Sequence, residues 1–191
     1  MDYKQNLLRL SERLGVPANY LDAVIEIESR RNPQARNKDT GATGIIQFMP
    51  STARELGTTV EEIYNMSLDE QFELTYRYFI THSKGKQLNR PCDVYLVIFY
   101  PKYIGYSLDT VFPNSVYQVN KGLDYNKNGV LTVGDINDFF NSRIGYEYAD
   151  LPAVSDEIIY KVEEKIEQHP YIFLFFVVGF LVIILKKYKV I

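Results

Sequence analysis

The chain has 191 residues, a net charge of −3 at pH 7, one cysteine and two histidines. The mild acidity argues against nucleic acid as a main partner. The single Cys92 excludes an internal disulfide, and with only His82 and His169, far apart, there is no Cys/His zinc pattern.

In chain order, the first segment, Met1 to Gly15, is polar and charged, with no secretory apolar core. Its Leu7, Leu10 and Leu14 predict an amphipathic first helix. A second helix is predicted up to Glu28, because Leu21, Val24 and Ile25 recur at three- and four-residue steps. Glu28 falls on that same apolar face, and a carboxyl group among apolar neighbours resists ionisation. A protonated carboxylic acid near neutral pH is what a poor leaving group such as a glycosidic oxygen requires. Glu26, two residues away, points to nearly the opposite side and reads as a solvated charge. The competing reading of Glu28 is a helix-end carboxylate paired with Arg30, Arg31 or Arg36.

A polar stretch with Pro33 and Gly41, Asn32 to Thr43, reads as a loop. Gly44 then permits a tight turn or a close approach of backbone to a ligand. Pro50-Ser51-Thr52 looks like a helix start, and Ser67-Leu68-Asp69-Glu70 is a capping box opening a helix to about Ile80. Pro91 to Tyr100 carries Val94, Tyr95, Val97 and Ile98 and reads as a buried helix. Strand signals are weak and there are no internal repeats, so the expected fold class is mainly α.

Residues Asp124 to Asp135, DYNKNGVLTVGD, fit a calcium loop of the EF-hand type. Asp124, Asn126 and Asn128 stand at positions one, three and five, and Gly129 at six. Val130 would offer its carbonyl at seven, Thr132 stands at nine, and Asp135 at twelve. Asp135 departs from the usual glutamate and reaches an ion less readily with both oxygens. The alternative is a metal-free Asn/Gly-rich turn leading into a helix from Thr132 to Asn141. A structural Ca2+ clip is the expectation.

Asp150 to Ser155 reads as a linker, and Val154 to Gln168 as a charged helical stalk in which Glu157, Lys161 and Lys165 can pair along one side. Tyr171 to Leu185 is an uncharged run followed by Lys186, Lys187 and Lys189. It is shorter than the roughly 20 residues of a usual span, but flanking tyrosines and snorkelling lysines extend it. The expected organisation is a catalytic domain at 1–150, linker and stalk at 151–169, and a single transmembrane helix at 170–188. A buried core helix is the competing reading of the last segment.

Four short motifs fall together between Glu28 and Ala53: Glu28-Ser29, Asn32-Pro33-Gln34-Ala35, Gly44-Ile45-Ile46-Gln47 and Met49-Pro50-Ser51-Thr52-Ala53. In this order and spacing they resemble the catalytic region of the lytic transglycosylase and goose-type lysozyme superfamily. The resemblance covers roughly Leu7 to Tyr103. It implies a lysozyme-like fold and cleavage of the MurNAc–GlcNAc β-1,4 bond of peptidoglycan, with Glu28 as general acid and base. It further implies that Gln47 hydrogen-bonds substrate and that Ser29 helps orient it, although Ser29 could equally bond its own helix backbone. Many members carry an Ala-Tyr-Asn segment that this chain lacks. Tyr100, in Leu96 to Pro101, either supplies that phenol or packs the fold.

No second carboxylate is needed if the substrate's own muramyl 6-hydroxyl attacks, giving a 1,6-anhydro product. Asp39, in a turn-like Lys-Asp-Thr-Gly context, would position a water if the outcome were lysozyme-type hydrolysis. A non-enzymatic glycan-binding or structural membrane protein is the rival from a different class. The arrangement points to a single-pass membrane protein of a membrane-containing phage virion, its catalytic domain facing peptidoglycan. Its expected partners are glycan strands, lipid and virion proteins. By the charge bias, the lysine-rich tail faces the cytoplasm or virion interior.

Overall fold

Local chemistry places most helix boundaries. Helix α1 (Tyr3–Leu14) opens on a capping box, in which Asp2 accepts from the Gln5 amide at 2.8 Å and Gln5 accepts from the Asp2 amide at 3.0 Å. It closes at Gly15, whose φ of 64° suits a residue without a Cβ. Helix α2 (Ala18–Ser29) follows Pro17 and ends at Arg30. Short α3 (Pro50–Glu55) begins on Pro50. Capping boxes open α4 (Val60–Asn65) through Thr59 and Glu62, and α5 (Leu68–Ser83) through Ser67 and Glu70. Helix α5 runs three residues beyond the predicted Ile80. Helix α6 (Pro91–Phe99) matches its apolar run, and Pro101–Tyr103 forms a short 3-10 turn after it.

The computed structural model describes residues 1–145 and Tyr148. They lie within one unit of the chain, Met1–Ala153. The expected stalk and transmembrane segment, 151–188, lie outside the described residues. Among the described residues no helix is long and apolar enough to cross a membrane. The described fold is mainly α. Its only β features are isolated bridges, Arg36 with Thr43, Thr43 with Phe48, and Val111 with Thr132.

Helix α1 packs on α2 and α5, and α6 lies against α2 and α5. The shared core includes Leu7, Leu21, Ile25, Phe79, Leu96 and Val97, all buried. Beyond α6 come α7 (Asn114–Val119), a 3-10 turn (Lys121–Leu123) and α8 (Val133–Asn141). Helix α8 seats Ile136 and Phe140 in the core and packs along α6. The Phe140 ring stacks on Tyr95 at 5.5 Å.

One polar side chain sits at the centre of the packing. Gln71, on α5, is fully buried. Its Oε1 accepts from the Ile45 amide at 3.0 Å, and its Nε2 donates to the carbonyls of Pro33 (2.8 Å) and Ile63 (3.0 Å). It therefore supplies partners to backbone groups of the loop before α3 and of α4, two of them in buried bonds. Gly44 packs against this amide: a Cβ there would lie 2.7 Å from Gln71 Oε1 and 2.9 Å from Ile63 Cγ2, on a backbone with φ of +87°. The close approach expected at Gly44 is made to the protein's own interior.

Replacing Gln71 with Leu takes the partner from the buried Ile45 amide and the Pro33 carbonyl, while the Ile63 carbonyl keeps only the Met66 amide at 3.2 Å. Unsatisfied buried groups cost about 1–3 kcal/mol each, with some relief from relaxation. The Gln71→Leu protein is expected to lose roughly 2–4 kcal/mol in urea unfolding. A loss within about 0.5 kcal/mol, typical of a surface change, would show that the amide does not hold the loop.

Candidate active site

Glu28 lies on the last turn of α2, half-buried, with Leu21, Val24 and Ile25 buried along the same helix. Burial pushes its carboxyl up from 4.5 to about 7. Among the described residues no cation pairs with it. Two of the three arginines that could have done so are taken elsewhere. Arg31 grips buried Asp22 through Nε and Nη2, both at 2.8 Å, and meets exposed Glu26 at 3.1 Å. Arg36 pairs with Glu61 at 2.9 Å and lies over the Tyr64 ring. Arg30, exposed, adopts φ of 53° as the helix cap. Glu26 is therefore the surface charge expected from its position, and Glu28 is the desolvated carboxyl.

The chain turns sharply after α2. Arg30 and Arg31 both occupy the left-handed region, at φ of 53° and 60°. Such backbone costs about 1–2 kcal/mol per residue for side chains other than glycine. The Arg31–Asp22 clamp, to which Tyr3 adds a hydrogen bond at 2.8 Å, holds that turn in place.

Ser29 is buried, and its Oγ donates to the Ile25 carbonyl at 3.1 Å. The helix-backbone alternative for this hydroxyl is thus the bond it makes here. Gln47 closes the four-residue turn that Thr43 and Phe48 bracket with paired backbone bonds of 3.1 and 2.8 Å. It too is left-handed, at φ of 52°, and its Nε2 donates to Ala35 (3.2 Å) and Gly44 (3.0 Å) carbonyls. Its carboxamide oxygen makes no bond among the described residues, so it keeps accepting capacity for a sugar hydroxyl. Asp39 is exposed, in a turn capped by the Asn37 side chain.

Tyr100 packs edge-on against Tyr103 at 5.2 Å and Phe112 at 5.7 Å. Two other phenols answer electrostatically to Glu28. Burial, then the charge of Glu28, pushes the Tyr78 hydroxyl up to about 12. The same two causes, in the same order, push Tyr95 well above its ordinary value. Both stay protonated at working pH, and the Tyr78 O–H donates to the Val97 carbonyl at 3.3 Å. Tyr78 comes from α5, against Phe48 at 6.0 Å, and Tyr95 comes from α6. The sequence signal for Tyr78 is its place on the buried face with Gln71, Phe72, Thr75 and Phe79. That spacing marks burial but does not say which group is met.

The loop at 124–135 is folded on its own polar groups. Asp124 is buried and accepts from the amides of Asn128 (3.2 Å) and Gly129 (2.8 Å). Asp135 is also buried, accepting from Asn126 Nδ2 at 2.8 Å and from the Thr132 amide at 2.9 Å. Thr132 caps α8, Asn128 Oδ1 accepts from the Val130 amide at 2.9 Å, and the Leu131 carbonyl accepts from Phe112 at 2.8 Å. Asp124, Asn126, Asn128 and Asp135 are thus joined in one hydrogen-bonded loop between two helices. Among the described residues no group of three or more His, Cys, Asp or Glu is placed to hold a metal; any ion here would depend on the asparagine amides and the Val130 carbonyl.

The raised pKa of Glu28 has a sign for stability. A carboxyl whose folded pKa exceeds its unfolded one favours the native state while protonated. That contribution is complete below about 4.5 and is lost as pH rises through about 7. Glu28→Gln removes the ionisation. The variant is expected to gain on the order of 2–3 kcal/mol over the parent at pH 8, and almost none at pH 4. Thermal melts of both proteins across that range check it, and a constant gap would mean the carboxyl is not desolvated.

No curated protein matches the chain. One family model does, over a segment that runs from α1 into α5 and contains Glu28, Ser29, Gln47 and Gln71, but ends before Tyr78, Tyr95 and Tyr100. Residues 6–73 match the model of the transglycosylase SLT domain, which makes the chain similar over that span to the lytic transglycosylase superfamily.

Proposed function

We propose that the chain is a peptidoglycan lytic transglycosylase whose general acid and base is Glu28. The observation that carries the reading is a half-buried carboxyl pushed up to about 7, with no cation beside it among the described residues, inside the matched segment. Glu28 donates its proton to the glycosidic oxygen as the bond to the muramyl C1 breaks. The muramyl 6-hydroxyl then attacks C1, and the Glu28 carboxylate takes the released proton. No water is consumed and the acid is regenerated. Tyr78 and Tyr95, both uncharged at working pH, bring no competing charge to the carboxylate formed midway, and Gln47 offers its oxygen to the sugar. Activity is expected to fall above about pH 7, where the acid is ionised.

Purified sacculi provide the test. Glu28→Gln should lose about 100- to 10,000-fold in digestion rate, while Glu26→Gln, altering an exposed charge, should be close to silent. The muropeptide ends should be 1,6-anhydro, about 18 Da lighter than hydrolysed ends through the water not added. Near-normal digestion by Glu28→Gln sinks the assignment. Reducing ends alone would mean a lysozyme-type hydrolase, and Asp39 would then be examined. No digestion by the parent would favour the non-enzymatic glycan-binding reading.

Two further parts of the proposal lie outside the acid site. The helix–loop–helix around 124–135 supports a structural Ca2+ held by Asp124, Asn126, Asn128, the Val130 carbonyl, Thr132 and Asp135. Millimolar calcium should raise the melting temperature, since a ligand bound only by the folded state stabilises it, and Asp124→Ala should abolish the response. No shift leaves the loop a plain turn. The apolar run 171–185 supports a membrane-held enzyme, in keeping with a virion-associated role. Release of the full chain from membranes by carbonate would remove that part.

A further inference from the structure

The end of α5 and the turn after α6 form a cationic face. Helix α5 stops at Ser83, and Lys84 and Lys86 follow within three residues. Lys102 arrives from the 3-10 turn after α6. Together with His82 and Tyr106 they line a cavity of about 360 Å³ that has no acidic side chain in its wall. His82 turns its Nε2 to Glu55, at 3.7 Å, whereas no carboxylate pairs with the three lysines among the described residues. A neighbouring cavity shares Lys86 and Tyr106. Its one carboxylate, Asp93, is buried and gripped by Arg90 at 2.7 and 2.9 Å. In an acidic chain this is a local surplus of positive charge, three lysines against Asp109, which follows Tyr106 closely and accepts from the Ser107 hydroxyl.

The face is held in shape. Lys86 Nζ donates to the carbonyls of Lys102 (3.1 Å) and Ile104 (3.2 Å), which ties the stretch after α5 to the turn after α6 and fixes where Lys102 stands. Tyr106 is 41% exposed, its ring 5.8 Å from Lys86 Nζ and 5.1 Å from the buried Tyr103 ring. Two more large apolar side chains are exposed in the same segments: Ile80, one turn before Lys84, and Leu108, just after Tyr106. Cations alone would suit any hydrated polyanion. Exposed aromatic and aliphatic groups in the same segments gain only where the partner has an apolar layer beneath its phosphates. A bilayer surface is layered in that way. Tyrosine and aliphatic groups settle at headgroup level, while lysine stems lie along them and carry the ammonium to phosphate.

We propose that this face docks the globular domain on an anionic phospholipid surface. Lys84 and Lys102 meet the lipid phosphates, Tyr106 enters the headgroup layer, and Lys86 is a positioning residue. The chemistry of Glu28 plays no part in it. The inference rests on the membrane-held reading of the apolar run, which keeps lipid near the domain, and adds that the domain itself touches the bilayer. Insertion of an uncharged run depends little on headgroup charge, whereas docking through lysines requires it.

The chain contains no tryptophan, so Tyr106→Trp places a single reporter on the face. Leu108→Trp is the second reporter if the first does not fold. The full chain carrying the reporter is mixed with vesicles of phosphatidylcholine alone, or of phosphatidylcholine with phosphatidylglycerol, with and without brominated acyl chains. In the anionic vesicles the emission should move to the blue and be quenched by bromine, and in the neutral ones much less. Salt near 1 M, where the Debye length is about 3 Å, should release it. Adding Lys84→Gln and Lys102→Gln should lower the ratio of docked to undocked domain about 30-fold, roughly fivefold for each lysine withdrawn from a charged surface. Equal quenching in neutral and anionic vesicles overturns the inference, as does a lysine variant quenched like its parent. A blue shift caused by a soluble phosphodiester polymer and not by vesicles also overturns it, by assigning the lysines to a dissolved polyanion. Co-sedimentation with the neutral vesicles reads the apolar run separately. A chain that sediments with them while its tryptophan stays unquenched in the anionic ones is held by that run alone, and the docking face is wrong. A chain that does not sediment with them sinks the membrane-held reading, and quenching in the anionic vesicles still decides the face.

Discussion

The buried carboxamide of Gln71 joins three segments that are distant in sequence. It reaches Pro33 in the loop after α2, Ile45 in the turn before α3, and Ile63 at the end of α4. The buried Ile45 amide would otherwise carry the full cost of desolvation, and the Pro33 and Ile63 carbonyls gain a partner each. The consequence of these contacts is geometric. Gly44 must lack a Cβ because the amide and Ile63 occupy the space beside it. The turn that follows is clamped at both ends by the Thr43–Phe48 bonds. Gln47 is forced into left-handed backbone, a conformation that persists only where the surroundings over-determine it.

Around Glu28 the fold separates charges rather than pairing them. Arg31 is drawn back along α2 to Asp22 and Glu26, and Arg36 is drawn across to Glu61. Had either reached Glu28, the carboxyl would be held ionised, at odds with proton donation near neutral pH. The same Arg31–Asp22 clamp stabilises the double left-handed turn that ends the helix beside the acid. One ion pair therefore serves the backbone path and leaves the carboxyl unpaired. Apolar walls and the neutral phenols of Tyr78 and Tyr95 complete the environment.

The segment after α6 contributes from a different direction. Its α8 places Phe140 against Tyr95 and Phe139 nearby at 5.8 Å, so the ring that answers to Glu28 on one side is packed by the helix–loop–helix on the other. The loop that starts α8 is bound to residues 110–112 through the Leu131 and Thr110 carbonyls. The order of this loop thus reaches the phenol beside the acid through contiguous packing alone.

Helix starts, the carboxyl on an apolar face, and the turn glycines were legible in the sequence because each depends on neighbours within one helical turn. The capping box at Ser67 and the helix start at Thr132 are such cases, as is the placing of Glu28 opposite Glu26, whereas α4 behind Thr59 was not read. The four motifs from Glu28 to Ala53 carried the family likeness for the same reason, since they are contiguous. What the tertiary structure decided involves separations of tens of residues. Tyr78 and Tyr95 feel the charge of Glu28 from α5 and α6, and Tyr100 packs on Tyr103 and Phe112. Gln71 carried no local mark beyond its helical face. Its partners come from three loops and helices, and only the packed chain brings their unsatisfied backbone groups to one amide.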